Sequence, residues 1–222
     1  MKVIVTCGPS YEPIDEVRRL TNFSTGQLGV LLANRLARAG HEVVCLKGIG
    51  ATCEERLAPA VIHTPFTTNA DLLARLQTLS VAGEADAIFH AAALCDYRIK
   101  EVRASDGGLI AGSKIPSRSG ELTLTLEPTR KIIGELRRLF PRSRIVGWKY
   151  ELEGARDNVF AAATRQISSN ETDACVVNGA AFGEGFGVWE KGGLAAEPPD
   201  KPALCEWLAG WIGGVIAPIS EP

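Results

Sequence analysis

The chain has 222 residues, with 24 Lys and Arg against 26 Asp and Glu for a net charge of −2; 45% of residues are apolar and 23% charged. That balance excludes an electrostatically driven nucleic-acid binder, which needs a basic excess, and the apolar content excludes a disordered chain. No run approaches the ~20 apolar residues that a membrane span requires.

The length fits one large α/β domain or two small ones, with one as the default, and at this size roughly 70% of the unfolded chain's surface is buried. Met1 to Thr6 reads as a strand opening, too soon interrupted for a signal peptide, so a cytoplasmic chain is expected. Val3-Ile4-Val5 predicts a buried strand. After an irregular stretch rich in Gly and Pro, Leu28, Leu31, Leu32 and Leu36 predict a helix from about Thr25 to Ala39, stopped by Gly40. Strands are predicted at Glu42–Leu46, more weakly at Ala60–Ile62, and at Ala87–Ala91. Asn69 is expected to cap a helix that carries Leu72, Leu73, Leu76 and Leu79. Residues 96–121 hold several glycines and charges, and a structureless loop of that length is either functional or misassigned. Leu122–Leu126 alternates strictly and predicts a strand with one face buried. Pro128 is expected to open a helix with Ile132, Ile133 and Leu136 inward. A strand at Arg144–Trp148, a helix from about Ala155 to Ile167, and strands at Ala174–Val177 and Gly187–Trp189 follow. Asp200 is expected to cap a last helix with Leu204, Leu208, Trp211 and Ile212 inward. Alternating strands and helices predict βαβ units and a mostly parallel, doubly wound sheet.

The six cysteines form no CxxC pair and the three histidines no HxxxH, so the cysteines read as small buried hydrophobes. In such a sheet, ligands bind beyond the carboxyl ends of the strands, where strand order reverses. Cys7-Gly8-Pro9, Ala92–Asp96, Trp148–Glu151 and Asn178-Gly179 should therefore ring one cleft. The segment Asn22–Gly29 leads into the first helix with small residues and hydroxyls, a composition suited to a phosphate cradle. The alternative is that Ser24 and Thr25 only cap the helix while Gly26 and Gly29 let it approach the sheet. The segment is neither GxGxxG nor a P-loop. No tyrosine is followed four residues later by Lys, against a short-chain NAD(P)-binding reductase.

The stretch Val5–Gly29 resembles the phosphopantothenoylcysteine synthetase (phosphopantothenate–cysteine ligase) family, the synthetase domain of the DNA/pantothenate metabolism flavoproteins. The family pattern GPT-x-EPID-x-VR-x-x-x-N-x-SSG-x-x-G stands here as Gly8-Pro9-Ser10, Glu12-Pro13-Ile14-Asp15, Val17-Arg18, Asn22-Phe23-Ser24-Thr25-Gly26 and Gly29. Ala91–Tyr97, Val146–Glu151 and Val177-Asn178-Gly179 are similar to three further family blocks in the same order. In bacteria the synthetase is usually fused to a flavin-dependent decarboxylase with a P-x-MN-x-x-M motif. Met1 is the only methionine, so FMN is not implied.

The resemblance implies a Rossmann-like fold forming one domain over 1–222, with a flap and dimerisation insertion at about 96–127. It implies a ligase that activates 4′-phosphopantothenate with ATP or CTP and Mg²⁺, then joins the acyl group to the amine of cysteine. Gly8, Ser24, Thr25 and Gly26 match the phosphate cradle; Asp96, Trp148, Lys149 and Asn178 match the nucleotide side. Asn22 matches the residue of the acyl-nucleotide step, and Arg18, Asn22 and Ala92 match the acid side. No protein ligand to Mg²⁺ is assigned, since phosphates would hold it. For Asp96 a capping or strand-end role is the alternative. The flap pattern K-x-K-K is reduced to Ser113-Lys114-Ile115-Pro116-Ser117, which leaves Lys114, against Lys100, as the flap lysine. Glu127-Pro128-Thr129 replaces the family's N-P-D. These departures leave open a divergent member with weak activity or another acid substrate, or a non-catalytic nucleotide-binding module. Lys149 favours ATP. The family is dimeric through the flap, and Leu122–Leu126 suits a pairing strand, with an internal strand as the alternative.

Overall fold

A computed structural model of the chain describes residues 1–110, 112–116, 118 and 120–214; Ser117 of the flap segment lies outside them. In chain order the elements are β1 (Lys2–Cys7), β2 (Tyr11–Pro13), β3 (Arg19–Thr21), α1 (Gln27–Arg38), β4 (Glu42–Gly48), β5 (Ile62–Phe66), α2 (Asn69–Ala82), β6 (Ala87–His90), β7 (Tyr97–Ala104), β8 (Leu122–Pro128), α3 (Ile133–Leu139), β9 (Arg144–Tyr150), α4 (Arg156–Asn170), β10 (Ala174–Asn178), β11 (Gly187–Glu190), β12 (Gly193–Ala196) and α5 (Lys201–Ile212).

Eight strands form one sheet in the order β12-β11-β10-β9-β6-β1-β4-β5. The six from β10 to β5 run parallel, while β11 and β12 join antiparallel at one edge. The chain leaves β1 toward β4 and β5, then crosses back to β6, β9 and β10. Strand order thus reverses between β1 and β6, which opens a crevice at their carboxyl ends.

Alternation along the central strands sorts the core. Val3, Val5 and Cys7 face α1 and α5, packing among Leu32, Leu36, Leu204 and Leu208. Ile4 and Ile88 face the opposite layer with Leu72, Leu76 and Leu136 of α2 and α3. Helix α4 covers Cys175 and Val177 through Val159, Ala163 and Ile167. As expected, Asp200 caps α5, its carboxylate accepting from Ala203 N at 2.8 Å. No helix among the described residues is long and apolar enough to cross a membrane.

Several sequence expectations are corrected. The irregular stretch after β1 contains the β2–β3 hairpin, too short to show a period. The weak third strand lies later, at Ile62–Phe66, as an edge strand that includes Pro65. The cap of α2 is Thr68, whose hydroxyl accepts from Asp71 N at 3.1 Å; Asn69 is the first helical residue and its amide is used elsewhere. Pro128 ends β8 instead of opening a helix, and α3 starts at Ile133. Residues 96–121 are in part misassigned as loop, since Tyr97–Ala104 forms β7 and pairs antiparallel with β8. This ribbon stands apart from the main sheet, so neither face of β8 is fully covered: Leu124 and Leu126 are 38% and 43% exposed. Alternation reports that a strand has two faces, not that the molecule itself covers one.

Candidate active site

A cavity of about 1080 Å³ opens at the carboxyl ends of β1, β6, β9 and β10. Helix α1 forms one side of it because two glycines allow a very close approach. A Cβ on Gly29 would lie 2.2 Å from the Cβ of Cys7, so only Gly lets α1 cross β1 here. Gly26, at the N-cap with φ 76°, turns the chain into the helix. The N-cap Gly26 has no side chain to offer, Gln27 N donates to Thr25 Oγ1 at 3.3 Å, and no acidic residue occupies the first turn. Its remaining N-terminal N–H groups and positive dipole end therefore line the cavity with no anion in the helix's own first turn.

The turn Leu94–Asp96 forms the opposite wall and is held from both sides. Asn22 Nδ2 donates to Leu94 O at 2.8 Å, and Cys95 N donates to Ser10 Oγ at 2.9 Å. Thr21 Oγ1 donates to Ser10 O at 2.7 Å. From the other side, Asn69 Nδ2 and Thr129 Oγ1 both donate to Cys95 O, at 2.7 and 2.6 Å. Gly8 lies beneath this wall, its carbonyl accepting from Ala93 N at 3.0 Å.

Charge is distributed around the rim. Lys131 pairs with Asp96, and Lys149 lies 3.9 Å from Glu151. Lys201 donates to Gln27 Oε1, and Gln27 Nε2 donates to Glu55, so a lysine from α5 is fixed beside the start of α1. Arg165 of α4 adds a further cation to the wall. On the floor, burial lowers the pKa of His90 to about 4, so its ring is neutral; its Nδ1 lies 2.8 Å from Thr6 Oγ1. The thiols of Cys7 and Cys45 are 3.7 Å apart, and that contact, with burial, pushes the Cys7 pKa far up. Burial likewise raises the pKa of Cys95. Protonated thiols of this kind are poor nucleophiles, in keeping with their reading as small hydrophobes.

The structure brings Asn22, Ser24, Thr25, Gly26, Ala92, Asp96, Trp148, Lys149 and Asn178 to this one cavity. It does not bring Gly8, Arg18, Lys114 or Lys100 to the cavity wall. Lys114 lies on a segment docked on the Asp15–Arg18 turn. There Ile115 N donates to Asp15 Oδ2 at 3.1 Å and Glu16 N donates to Ser113 O at 2.9 Å. Arg18 pairs with Asp15 at 2.5 Å. Burial alone would raise the Asp15 pKa, but the N–H groups of Ile115, Val17 and Arg18, with the guanidinium, hold it below the usual range. Sequence reasoning missed Lys201, Gln27, Asn69 and Lys131. Gln27 and Lys201 are separated by 174 positions, and no local pattern signals such a pair.

Among the described residues no group of three or more His, Cys, Asp or Glu could hold a metal ion. The described residues thus offer no carboxylate cage, and a divalent cation here would fit as the complex of a polyphosphate that supplies most of its oxygen ligands.

Residues 1–195 match the family model described as the DNA/pantothenate metabolism flavoprotein C-terminal domain. The chain is 30% identical over 180 residues to the coenzyme A biosynthesis bifunctional protein CoaBC of Thermococcus kodakarensis, covering 80% of this chain and 41% of that protein. It is also 30% identical over 188 residues to the protein of the same name from Bacillus subtilis, covering 84% and 42%. It spans well under half the length of these relatives. The crystal structure of the DNA/pantothenate metabolism flavoprotein from Streptococcus pneumoniae superposes with a TM-score of 0.85 at 25% identity, covering 96% of this chain and 99% of that one. The chain therefore belongs to the DNA/pantothenate metabolism flavoprotein C-terminal domain family.

Proposed function

We propose that the chain is a phosphopantothenate–cysteine ligase of coenzyme A biosynthesis. A nucleoside triphosphate reacts with the carboxylate of 4′-phosphopantothenate, giving an acyl-nucleotide and pyrophosphate; the amine of cysteine then displaces the nucleotide to form an amide. The observation that carries this reading is the position of Asn22, which lines the cavity between the start of α1 and the Leu94–Asp96 turn. The names of the bifunctional relatives point the same way.

The chemistry divides among the walls. A carboxylate becomes an electrophile only when its oxygen is made a good leaving group. The N–H groups of α1, with Ser24, Thr25 and Gly26, hold the phosphates and stabilise charge as pyrophosphate departs. The phosphates themselves would hold a Mg²⁺ ion, which would supply further neutralisation of their charge. Asp96, Trp148, Lys149 and Asn178 orient the nucleoside, with ATP the favoured co-substrate. Ala92 and Asn22 take the acyl group, and the second Nδ2–H of Asn22 serves the acyl oxygen. Lys114 and Arg18 stand away from this chain's cavity, and we place their action at the cavity of a partner copy. A homodimer through β7–β8 is proposed on the exposed Leu124 and Leu126 and on Tyr97, half exposed on the same ribbon. The chain should sediment as a dimer, and Leu124→Glu with Leu126→Glu should yield monomers.

The test is pyrophosphate release with phosphopantothenate, cysteine, Mg²⁺ and each nucleoside triphosphate. Release with ATP or CTP supports the ligase. No release with any of the four overturns it, and nucleotide binding without turnover would identify a binding module instead.

A further inference from the structure

A second cavity of about 340 Å³ adjoins the first, and the two share Asn22, Phe23, Ser24 and Thr25 among their lining residues. Its remaining walls come from the β2–β3 hairpin and from the loop carrying Gly50 and Thr52. Resting on the ligase reading above, we infer that this second cavity is the acceptor subsite, and that Arg19 holds the carboxylate of the incoming α-amino acid there.

Four observations support it. First, Arg18 and Arg19 are adjacent but differently employed. Arg18 is neutralised by Asp15 and also donates to Ile115 O at 3.3 Å, and it lines neither cavity. Arg19 lines the second cavity, and no carboxylate among the described residues pairs with it.

Second, the Arg19 guanidinium is aimed. It sits 5.0 Å from the centre of the Tyr11 ring. Tyr11 pairs across the hairpin with Thr21, the residue before Asn22. A guanidinium stacked on Tyr11 therefore leans along β3 toward Asn22. The extended span from Arg19 to Asn22 is roughly 10 Å at most, and the lean shortens it. An α-amino acid carries its amine two bonds from its carboxylate, so a carboxylate on Arg19 leaves the amine at the Asn22 edge.

Third, charge and size select the guest. One planar guanidinium matches one carboxylate bidentately. A phosphate dianion asks for more donors, which the start of α1 offers in the first cavity. The second cavity, about a third the volume of the first, has room for an amino acid. Tyr11 and Phe23 give it an apolar wall suited to a small thiol side chain.

Fourth, the shared residues bring both cavities to Asn22, where the acyl group is proposed to sit. The unprotonated amine attacks the acyl carbon. The C–N bond forms as the C–O bond to the nucleotide phosphate breaks, the nucleoside monophosphate leaves with that electron pair, and the surplus amine proton passes to solvent.

The experiment compares cysteine with cysteamine, its analogue without a carboxylate, as acceptor for the same protein. The ratio of kcat/KM for the two cancels any loss from a poorly folded variant. The parent should prefer cysteine by roughly 10- to 100-fold, the worth of one charge-assisted bidentate contact. In Arg19→Ala the ratio should fall toward one, and in Arg19→Lys to an intermediate value. An unchanged ratio in Arg19→Ala overturns the subsite. Exchange of pyrophosphate with the triphosphate in the parent, run without any acceptor, tests the ligase reading separately. If that exchange is absent, calorimetric titration of cysteine still decides: binding at least ~10-fold weaker in Arg19→Ala than in the parent supports the subsite, and equal binding or none overturns it.

Discussion

Asn22 Nδ2 and Leu94 O are 2.8 Å apart and 72 positions apart in the chain, and this hydrogen bond joins the turn after β3 to the turn after β6. One amide thus fixes a wall and also faces the cavity. Asn22→Ala removes both functions. The overall rate should fall by ~10²–10³, the usual effect of losing one donor to a developing charge, and the acyl-nucleotide should accumulate in acid-quenched samples. A variant that equals the parent in both half-reactions rejects the assignment.

Lys201 reaches from α5 to Gln27 at the start of α1. Its charge is close enough to favour a polyphosphate there. Lys201→Ala should raise KM for the triphosphate by roughly 5- to 10-fold, the worth of about one charge-assisted hydrogen bond. Initial rates at varied triphosphate and at varied acid separate this from a general loss, because KM for the acid should stay within about twofold.

Gly29 has no room for a side chain above Cys7, whereas Gly134 in α3 meets only Asn170 Oδ1, at 3.4 Å from a built Cβ. Gly29→Ala should lift α1 from the sheet and cost about 1–3 kcal/mol, with weaker nucleotide binding. Gly134→Ala should instead stabilise by up to about 1 kcal/mol through helix propensity. Urea midpoints for the two variants should shift in opposite directions.

His90 is buried and neutral, its pKa lowered by desolvation to about 4 from 6.5. Between those values the unfolded chain binds a proton that the folded chain refuses. Stability should therefore decline as pH falls from about 6.5 toward 4, by up to about 3 kcal/mol from this group. His90→Gln has nothing to titrate there, and its stability should depend less on pH across that window. Equal slopes for the two proteins would show that the ring carries no such linkage.

The central sheet was legible because its signal is local. Val3-Ile4-Val5 and Ala87–Phe89 are apolar runs that only a strand covered on both faces tolerates. Leu28, Leu31, Leu32 and Leu36 mark one face of α1 within three turns. The cleft followed from topology, since strand ends meet wherever strand order reverses. Three things were not local. The β2–β3 hairpin has three residues a strand, too few for a period to emerge. Strand β7 carries charges at Arg98, Lys100, Glu101 and Arg103 and no continuous apolar face, so it read as loop. Lys201 and Asn69 reached the cavity through pairings far apart in sequence, with Gln27 and with Cys95, which only the folded chain discloses.

Both margins of the eight-stranded sheet carry features that discourage further strands. On one side β5 includes Pro65, which has no N–H to give, and on the other β12 is only four residues long. Extension of this sheet by further copies of the chain is thereby disfavoured, which lowers its tendency to act as a polymerisation template in crowded solution. Self-recognition through a surface outside the sheet, such as the proposed β7–β8 contact, would instead join a finite number of copies.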